Sequence, residues 1–211
     1  MNTARTMALA LALLLAATTT HAQDRSADPL HGLTQCFAGT EFRAVRTDRL
    51  PASVTLRQVE TATGPLPVSL ADGYRIMIHR QSTEALVNLK IERSAPGKFD
   101  ADRAAILLQI DRMAAASKAL HTRRTAQDGI EAVGLDNPAI GTPGVISFYQ
   151  LFEPATGTVA TAYILNQAPA LREYASQGAY DALRDRFIGV LSGCMARARP
   201  APASQEPGRT R

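Results

Sequence analysis

The chain has 211 residues, of which 45% are hydrophobic and 20% are charged, and its formal net charge is +4. The excess positive charge lies at the ends: Arg5 stands near the start, and residues 197–211 carry four arginines against one glutamate, so residues 23–196 are formally neutral. A neutral body argues against a nucleic-acid-binding domain, whose basic residues cluster on one face.

The first 22 residues predict an export signal. An early positive charge is followed by an apolar run over residues 7–17 and a polar stretch that ends at Ala22. A bilayer-spanning helix needs about 20 apolar residues, so this run is too short to cross a membrane. The small residues before Gln23 predict cleavage between Ala22 and Gln23, with an uncleaved amphipathic anchor as the alternative. Residues 1–22 therefore indicate a protein of the bacterial periplasm or the medium, and no later stretch is apolar and long enough to span a membrane.

The chain contains two cysteines, Cys36 and Cys194. In an oxidising compartment they allow a single intramolecular pairing, so a structural disulfide is predicted. In the chain-entropy model, a disulfide that closes a loop of this length stabilises the folded protein by up to about 5 kcal/mol. There is no C-x-x-C redox motif, and the histidines of the mature chain stand singly, so neither a metal site nor a cofactor is predicted.

The N-terminal half predicts strands. After a mixed segment with a short helix around Cys36, "EFRAVR" and "SVTLRQVET" are short strand candidates, and "TGPLPV" is a Pro/Gly interruption. "GYRIMIHR" and "ALVNLKIER" then alternate apolar and polar residues, which is typical of half-buried strands. The "QSTE" stretch between them predicts a hairpin turn.

The second half predicts a helix, three strands and a closing helix. Asp100 is the expected N-cap of a helix near residues 101–119, whose apolar residues recur at helical spacing. "GIEAVGLD", "GVISFYQLF" and "TVATAYILNQ" follow as strands, with a hairpin turn at "EPATG". Because "VISFYQLF" is apolar on both faces, it predicts a central strand. The last helix ends its apolar face at Cys194.

This order predicts an α+β fold: an antiparallel sheet covered by two main helices, in the order β-β-α-β-β-β-α with extra N-terminal strands and one disulfide. Residues 23–196 are predicted to form one domain, since their number is within the usual domain size. Residues 197–211 are rich in Pro, Ala and Arg and predict a disordered tail. The tail is either a solvated end or a contact for an anionic surface.

The hairpin "GYRIMIHR"/"ALVNLKIER", the helix near 101–119, the three strands and the closing helix together resemble the PsbP-like and DcrB-like group of small exported α/β sandwich proteins. The resemblance covers roughly residues 73–195. It implies an accessory or assembly factor, or another protein of the cell envelope, and it transfers no functional residue, since fold alone does not establish function.

Catalytic motifs are absent: the chain has no G-x-S-x-G, H-E-x-x-H, G-x-G-x-x-G or phosphate-loop pattern. His79 is a candidate general base that also fits the polar face of a strand. His121, Arg123 and Arg124 form a basic cluster after the predicted helix. The cluster either binds an anionic ligand or reflects the favourable interaction of positive charges with a helix C-terminus. The loop "LDNPAIGTPG" is a candidate recognition loop or an ordinary strand connection. Its candidate residues are Asp136, Asn137 and Thr142.

The leading functional hypothesis is an exported, non-enzymatic envelope protein that binds a protein partner or a small apolar ligand through its sheet. It is motivated by the aromatic residues Phe148, Tyr149 and Phe152, and it requires that not all three be buried against protein. The alternative is a small exported hydrolase whose site is assembled from distant loops. That alternative requires His79 or His121 within hydrogen-bond reach of a nucleophile or carboxylate.

Overall fold

The computed structural model describes four ranges of the chain: 29–50, 57–61, 64–137 and 144–199. The predicted signal peptide with its cleavage site between Ala22 and Gln23, the loop residue Thr142, and the part of the predicted tail from residue 200 onward lie outside these ranges.

The described residues form three helices and nine strands. The helices are α1 (Pro29–Leu33), α2 (Phe99–Ala116) and α3 (Gln177–Arg197). The strands are β1 (Arg43–Leu50), β2 (Arg57–Thr61), β3 (Gly64–Val68), β4 (Leu70–His79), β5 (Val87–Ser94), β6 (His121–Gln127), β7 (Ile130–Asp136), β8 (Gly144–Glu153) and β9 (Thr158–Asn166).

Seven strands form one antiparallel sheet in the order β1-β4-β5-β9-β8-β7-β6, and β2 pairs with β3 in a separate hairpin. The predicted α+β class with an antiparallel sheet is confirmed, and β8 is an interior strand. The predicted strand count was too low. Four strands separate α2 from α3, and a third, short helix precedes the sheet.

The two missed strands lack the usual strand signal. Every residue of β6 is exposed, so its sequence "HTRRTAQ" shows no apolar alternation. The strand β3 contains Pro65 and Pro67, which the sequence suggested were an interruption. Proline is tolerated in strands whose N–H side needs no partner, as in a two-stranded ribbon.

The first face of the sheet is covered by α1, the segment that follows it, and α3. Ile76 and Ile78 of β4, Leu89 of β5 and Ala162 of β9 lie in this core with Phe187 of α3. The predicted disulfide is confirmed: Cys36 is bonded to Cys194, with a Cα–Cα distance of 5.5 Å. The bond fastens the N-terminal segment to the last helix on this face.

The second face is covered in part by α2 and the β2–β3 hairpin. Ile106 and Ile110 of α2 pack with Val133 of β7, Phe152 of β8 and Val68 of β3. The two long helices therefore lie on opposite faces of the sheet. On the second face, α2 contacts β7 and the β2–β3 hairpin, so the part of this face on the strands farther from β7 is left uncovered.

The start of α2 differs from the prediction. Its N-cap is Lys98, which makes no side-chain cap bond, and Asp100 lies within the first turn. The chain turns sharply at Gly97, where φ is +71°, so the helix begins one residue before Asp100. A carboxylate in the first turn still favours the positive end of the helix dipole. The Asp102 side chain accepts a hydrogen bond from the Ser69 N–H at 2.7 Å, which links the start of α2 to the junction between β3 and β4.

The end of α3 extends into the segment predicted as a tail. The helix continues to Arg197, and the Arg199 guanidinium donates to Glu153 at 2.8 Å. Glu153 also accepts hydrogen bonds from the Ala155 and Thr156 backbone N–H groups in the β8–β9 turn. Burial would raise the pKa of Glu153, but these hydrogen bonds outweigh it and lower the pKa.

Candidate functional site

The uncovered part of the second face lies on β1, β4, β5 and β9. On β4, alternation sends Ile76 and Ile78 into the first core and turns Arg75 and Met77 toward the second face. The register aligns these residues with their neighbours in two cross-strand rows. The Met77 row consists of Arg46, Met77, Asn88 and Tyr163. The Arg75 row consists of Asp48, Arg75, Lys90 and Thr161.

The two rows form a concave pocket of about 450 Å³. It is lined by Arg46, Asp48, Arg75, Met77, Asn88, Lys90 and Tyr163. A volume of this size is within the range of small-molecule binding sites, about 300–1,000 Å³. The pocket is open because α2 packs on β2, β3 and β7, away from the strands that carry these side chains.

The pocket has an excess of positive charge. Three of its lining residues are cations and one, Asp48, is an anion. Arg46 forms an ion pair with Asp48 at 2.9 Å. Lys90 lies 3.7 Å from the buried carboxylate of Glu92, which neighbours the pocket. Arg75 is exposed and makes no ion pair within the described part of the chain. It is therefore the cation with which an incoming anion would meet least competition.

The aromatic residues that motivated the binding hypothesis separate into core and border positions. Tyr149 and Phe152 are buried, with 2% and 1% of their surface exposed. Phe148 is half-buried on the second face, and its ring centroid lies 5.2 Å from that of Tyr163. Because Phe148 is not fully covered by protein, the condition set from the sequence for binding through the sheet is met.

The predicted recognition loop contributes one residue to a buried polar network. The Asp136 carboxylate lies at the end of β7 and accepts hydrogen bonds from Ser147, from Tyr149 at 2.9 Å and from Arg184 at 3.0 Å. The backbone N–H of Asn137 donates to the Ile146 carbonyl at 2.8 Å. The side chain of Asp136 is thus directed into the protein, beneath α3.

This network holds α3 against the sheet. Tyr180 of α3 donates to Ser147, and Arg184 bonds Asp181 at 2.7 Å and Asp185 at 3.0 Å as well as Asp136. Burial raises the pKa of the phenols of Tyr149 and Tyr180 well above 10.0, and the charge of Asp136 adds to the effect. Neutral phenols and a buried hydroxyl without a histidine beside them suit a structural role.

Sequence reasoning missed this network because its α3 members, Tyr180 and Arg184, are 33 and 48 residues from their partners Ser147 and Asp136. Only the alternation of Ser147 and Tyr149 on β8, opposite an acidic strand end, signals that these polar groups share a face.

The two histidines considered for catalysis are far apart. His79 ends β4, the second strand of the sheet, and His121 begins β6, the seventh. Five strand spacings separate these strands, which corresponds to about 24 Å. Within the described ranges, neither imidazole hydrogen-bonds to a carboxylate or a hydroxyl, and His79 Nε2 is buried without a partner. The hydrolase hypothesis gains no support from them.

The basic cluster expected at His121, Arg123 and Arg124 is divided between the two faces. Because consecutive strand residues point to opposite sides, Arg123 pairs with Asp185 of α3 at 3.1 Å and Arg124 pairs with Asp111 of α2 at 3.2 Å. Each arginine has its own counter-ion, so the cluster is not a joint anion site.

Over the described ranges, no three His, Cys, Asp or Glu side chains are grouped as a metal site requires, and no helix there has the length and apolar character needed to cross a membrane. Fold and site together define an α+β sandwich with a basic pocket on an open half of its sheet. Comparisons with protein-family models, curated proteins and solved structures found no match to this chain. The resemblance to the PsbP-like and DcrB-like group remains a prediction from the sequence.

Proposed function

We propose that the protein is an exported, non-enzymatic binding protein of the cell envelope and that it holds a small ligand in the pocket between the Met77 row and the Arg75 row. The observation that carries the proposal is this pocket, built by four neighbouring strands on the uncovered half of the sheet. Export is supported by the signal-like N-terminus and by the Cys36–Cys194 disulfide, which suits an oxidising compartment.

A small ligand fits this site better than a large protein surface does. The pocket is concave and has the volume of a small-molecule site. Its lining side chains stand on paired strands whose positions are fixed by the β-ladder. The backbone of a site on such rigid elements is pre-organised, so a ligand has to order side chains only.

The test is native mass spectrometry of the mature protein purified from the periplasm of its own host. We expect a reproducible small-molecule adduct on the wild type and its loss from Asn88→Trp, because the indole fills the pocket. Thr122→Trp is the matched control, since Thr122 is an exposed residue of the far edge strand β6. The same spectrum reports whether the chain begins at Gln23 and whether the disulfide is formed.

Each other outcome contradicts part of the proposal. An adduct that persists on Asn88→Trp places the ligand outside the pocket. A wild-type protein without any adduct contradicts a retained small ligand. Loss of the adduct from both tryptophan variants attributes the effect to the substitution in general and not to the pocket.

A further inference from the structure

The two rows of the pocket differ in chemistry. The Arg75 row presents only charged side chains to the pocket, whereas the Met77 row adds a thioether and a phenol ring to Arg46 and Asn88, with Phe148 beside the phenol. We propose that the ligand is a small amphipathic acid, whose anionic group is bound by Arg75 and whose apolar body lies on Met77 and Tyr163. This inference rests on the proposed function and names the class of ligand for the same pocket.

The anionic group is assigned from the charges around Arg75. Its cross-strand neighbours are Asp48 and Lys90. Asp48 is engaged by Arg46, and the carboxylate of Glu92 lies beside Lys90. Among the described residues Arg75 forms no ion pair, because its neighbour Asp48 pairs with Arg46. A guanidinium offers paired N–H donors that match the two oxygens of a carboxylate. A bound carboxylate is therefore stabilised both by the opposite charge and by two well-oriented hydrogen bonds.

The apolar body is assigned from the other row. Met77 and Tyr163 are half-buried and line the pocket on either side of Asn88, and the Phe148 ring adds apolar surface beyond Tyr163. A methionine adapts to ligands of different shape and makes favourable contacts with aromatic rings. An inorganic anion would leave this surface unused.

A fully apolar ligand fits the pocket less well than an acid does. It would cover the Arg75 guanidinium without giving it a hydrogen-bond partner, and burying a charge in this way is costly. An amphipathic acid is therefore a better match for this pocket than a fully apolar ligand.

The test compares two probes with the same ring system and nearly the same size: naphthoate, which is anionic and only accepts hydrogen bonds, and its neutral analogue naphthamide. Binding of each to the mature protein is measured by isothermal titration calorimetry at low ionic strength. We expect the Kd of naphthoate to be at least about tenfold lower than that of naphthamide, which is the usual effect of a hydrogen bond to a charged group. We expect Arg75→Gln to remove this difference and added salt to weaken naphthoate binding.

Arg123→Gln is the matched control, because Arg123 is an exposed arginine on the far edge strand whose partner is Asp185. It should keep the preference for naphthoate. Arg75 is exposed on its strand, so the glutamine variant should fold, and its thermal unfolding curve verifies this.

Failure of this inference is distinguishable from failure of the proposed function. Equal affinity for the two probes, or a preference that survives Arg75→Gln, overturns selection of an acid by Arg75. If Asn88→Trp still abolishes binding in that case, the pocket remains the binding site. If neither probe binds, the amphipathic-acid class is overturned, and the native adduct with its loss from Asn88→Trp decides the proposed function independently.

Discussion

At the scale of single residues, a glycine makes room for the buried network. Gly134 of β7 lies opposite Tyr149 of β8, and a Cβ at this position would overlap the Tyr149 ring. The ring therefore lies flat on the backbone of β7, and its hydroxyl reaches Asp136. The sequence pattern predicts the strand that contains Gly134. It does not explain why a glycine is needed there, because that depends on which residue of β8 lies opposite.

Gly134→Ala should accordingly destabilise the protein. We expect the free energy of unfolding to fall by about 2 kcal/mol, since overpacking a filled core costs about 1–3 kcal/mol. Urea unfolding followed by circular dichroism measures the change. Gly178→Ala is the control, because a Cβ there meets nothing within 4 Å and alanine favours the helix. A Gly134→Ala variant as stable as Gly178→Ala would contradict the packing argument.

The buried phenols predict a loss of stability at alkaline pH. The pKa of Tyr149 and of Tyr180 is raised in the folded protein, chiefly by burial. A group with a raised folded pKa contributes stability that is complete below its unfolded pKa, about 10, and that is lost as the pH rises beyond it. We therefore expect the free energy of unfolding to decline steeply above about pH 10.

The double variant Tyr149→Phe/Tyr180→Phe separates these two phenols from the other titrating groups. It should be less stable at neutral pH, because two hydrogen bonds are removed, but its stability should decline less steeply with alkaline pH. Urea midpoints measured across the alkaline range provide the comparison. Parallel curves for wild type and variant would assign the alkaline loss to other residues.

At the scale of elements, the sequence predicted strands that alternate and missed those that do not. The hairpin of β4 and β5 is half-buried, so apolar and polar residues alternate along it, and the prediction was correct. The strand β6 lies at the sheet edge with every residue exposed. Charged side chains on an edge strand disfavour edge-to-edge pairing with another chain. An edge strand of this kind has no side that faces the core, so its sequence shows no alternation of apolar and polar residues.

The docking of α3 depends on a charge pair that sequence patterns do not indicate. Arg184 and Asp136 are separated by 48 residues, and their side chains are 3% and 12% exposed. Arginine side chains are rarely buried in proteins, and Arg184 is an exception. Its burial is possible because Asp136, Asp181 and Asp185 surround it with carboxylates.

Asp136→Ala should lower the free energy of unfolding by about 3 kcal/mol, because a buried charge loses its buried partner. The double variant Asp136→Ala/Arg184→Met should recover part of this loss, since it removes the second charge and keeps a side chain of similar length. Chemical denaturation of the wild type, both single variants and the double variant completes the thermodynamic cycle. Additive effects of the two single changes would show that the pair does not couple α3 to the sheet.

At the scale of the whole molecule, the site exists because the two faces of the sheet are covered unequally. The first face carries α1, the following segment and α3, and the second carries α2 and the β2–β3 hairpin over part of its area. The sequence predicted two helices on a sheet but not their distribution between faces. That distribution depends on how each connection crosses the sheet, which local periodicity does not encode. The pocket could therefore not be predicted from the sequence. The alternation along β4 does place Arg75 and Met77 on the same face of the strand, opposite Ile76 and Ile78.

The disulfide acts at this same scale, since it joins segments 158 residues apart and closes the first face. We expect Cys36→Ala/Cys194→Ala to lower the free energy of unfolding by about 2–5 kcal/mol, because the unfolded chain regains the entropy that the closed loop removes. Urea unfolding of the variant, and of reduced wild-type protein as a second route to the same state, gives the value. Hydrogen exchange should show the largest loss of protection in α1 and in the last turns of α3, where the bond holds the two segments together. A loss below about 1 kcal/mol by both routes would mean that the apolar contacts of Phe37 and Phe42 with Phe187 hold the segment without the bond.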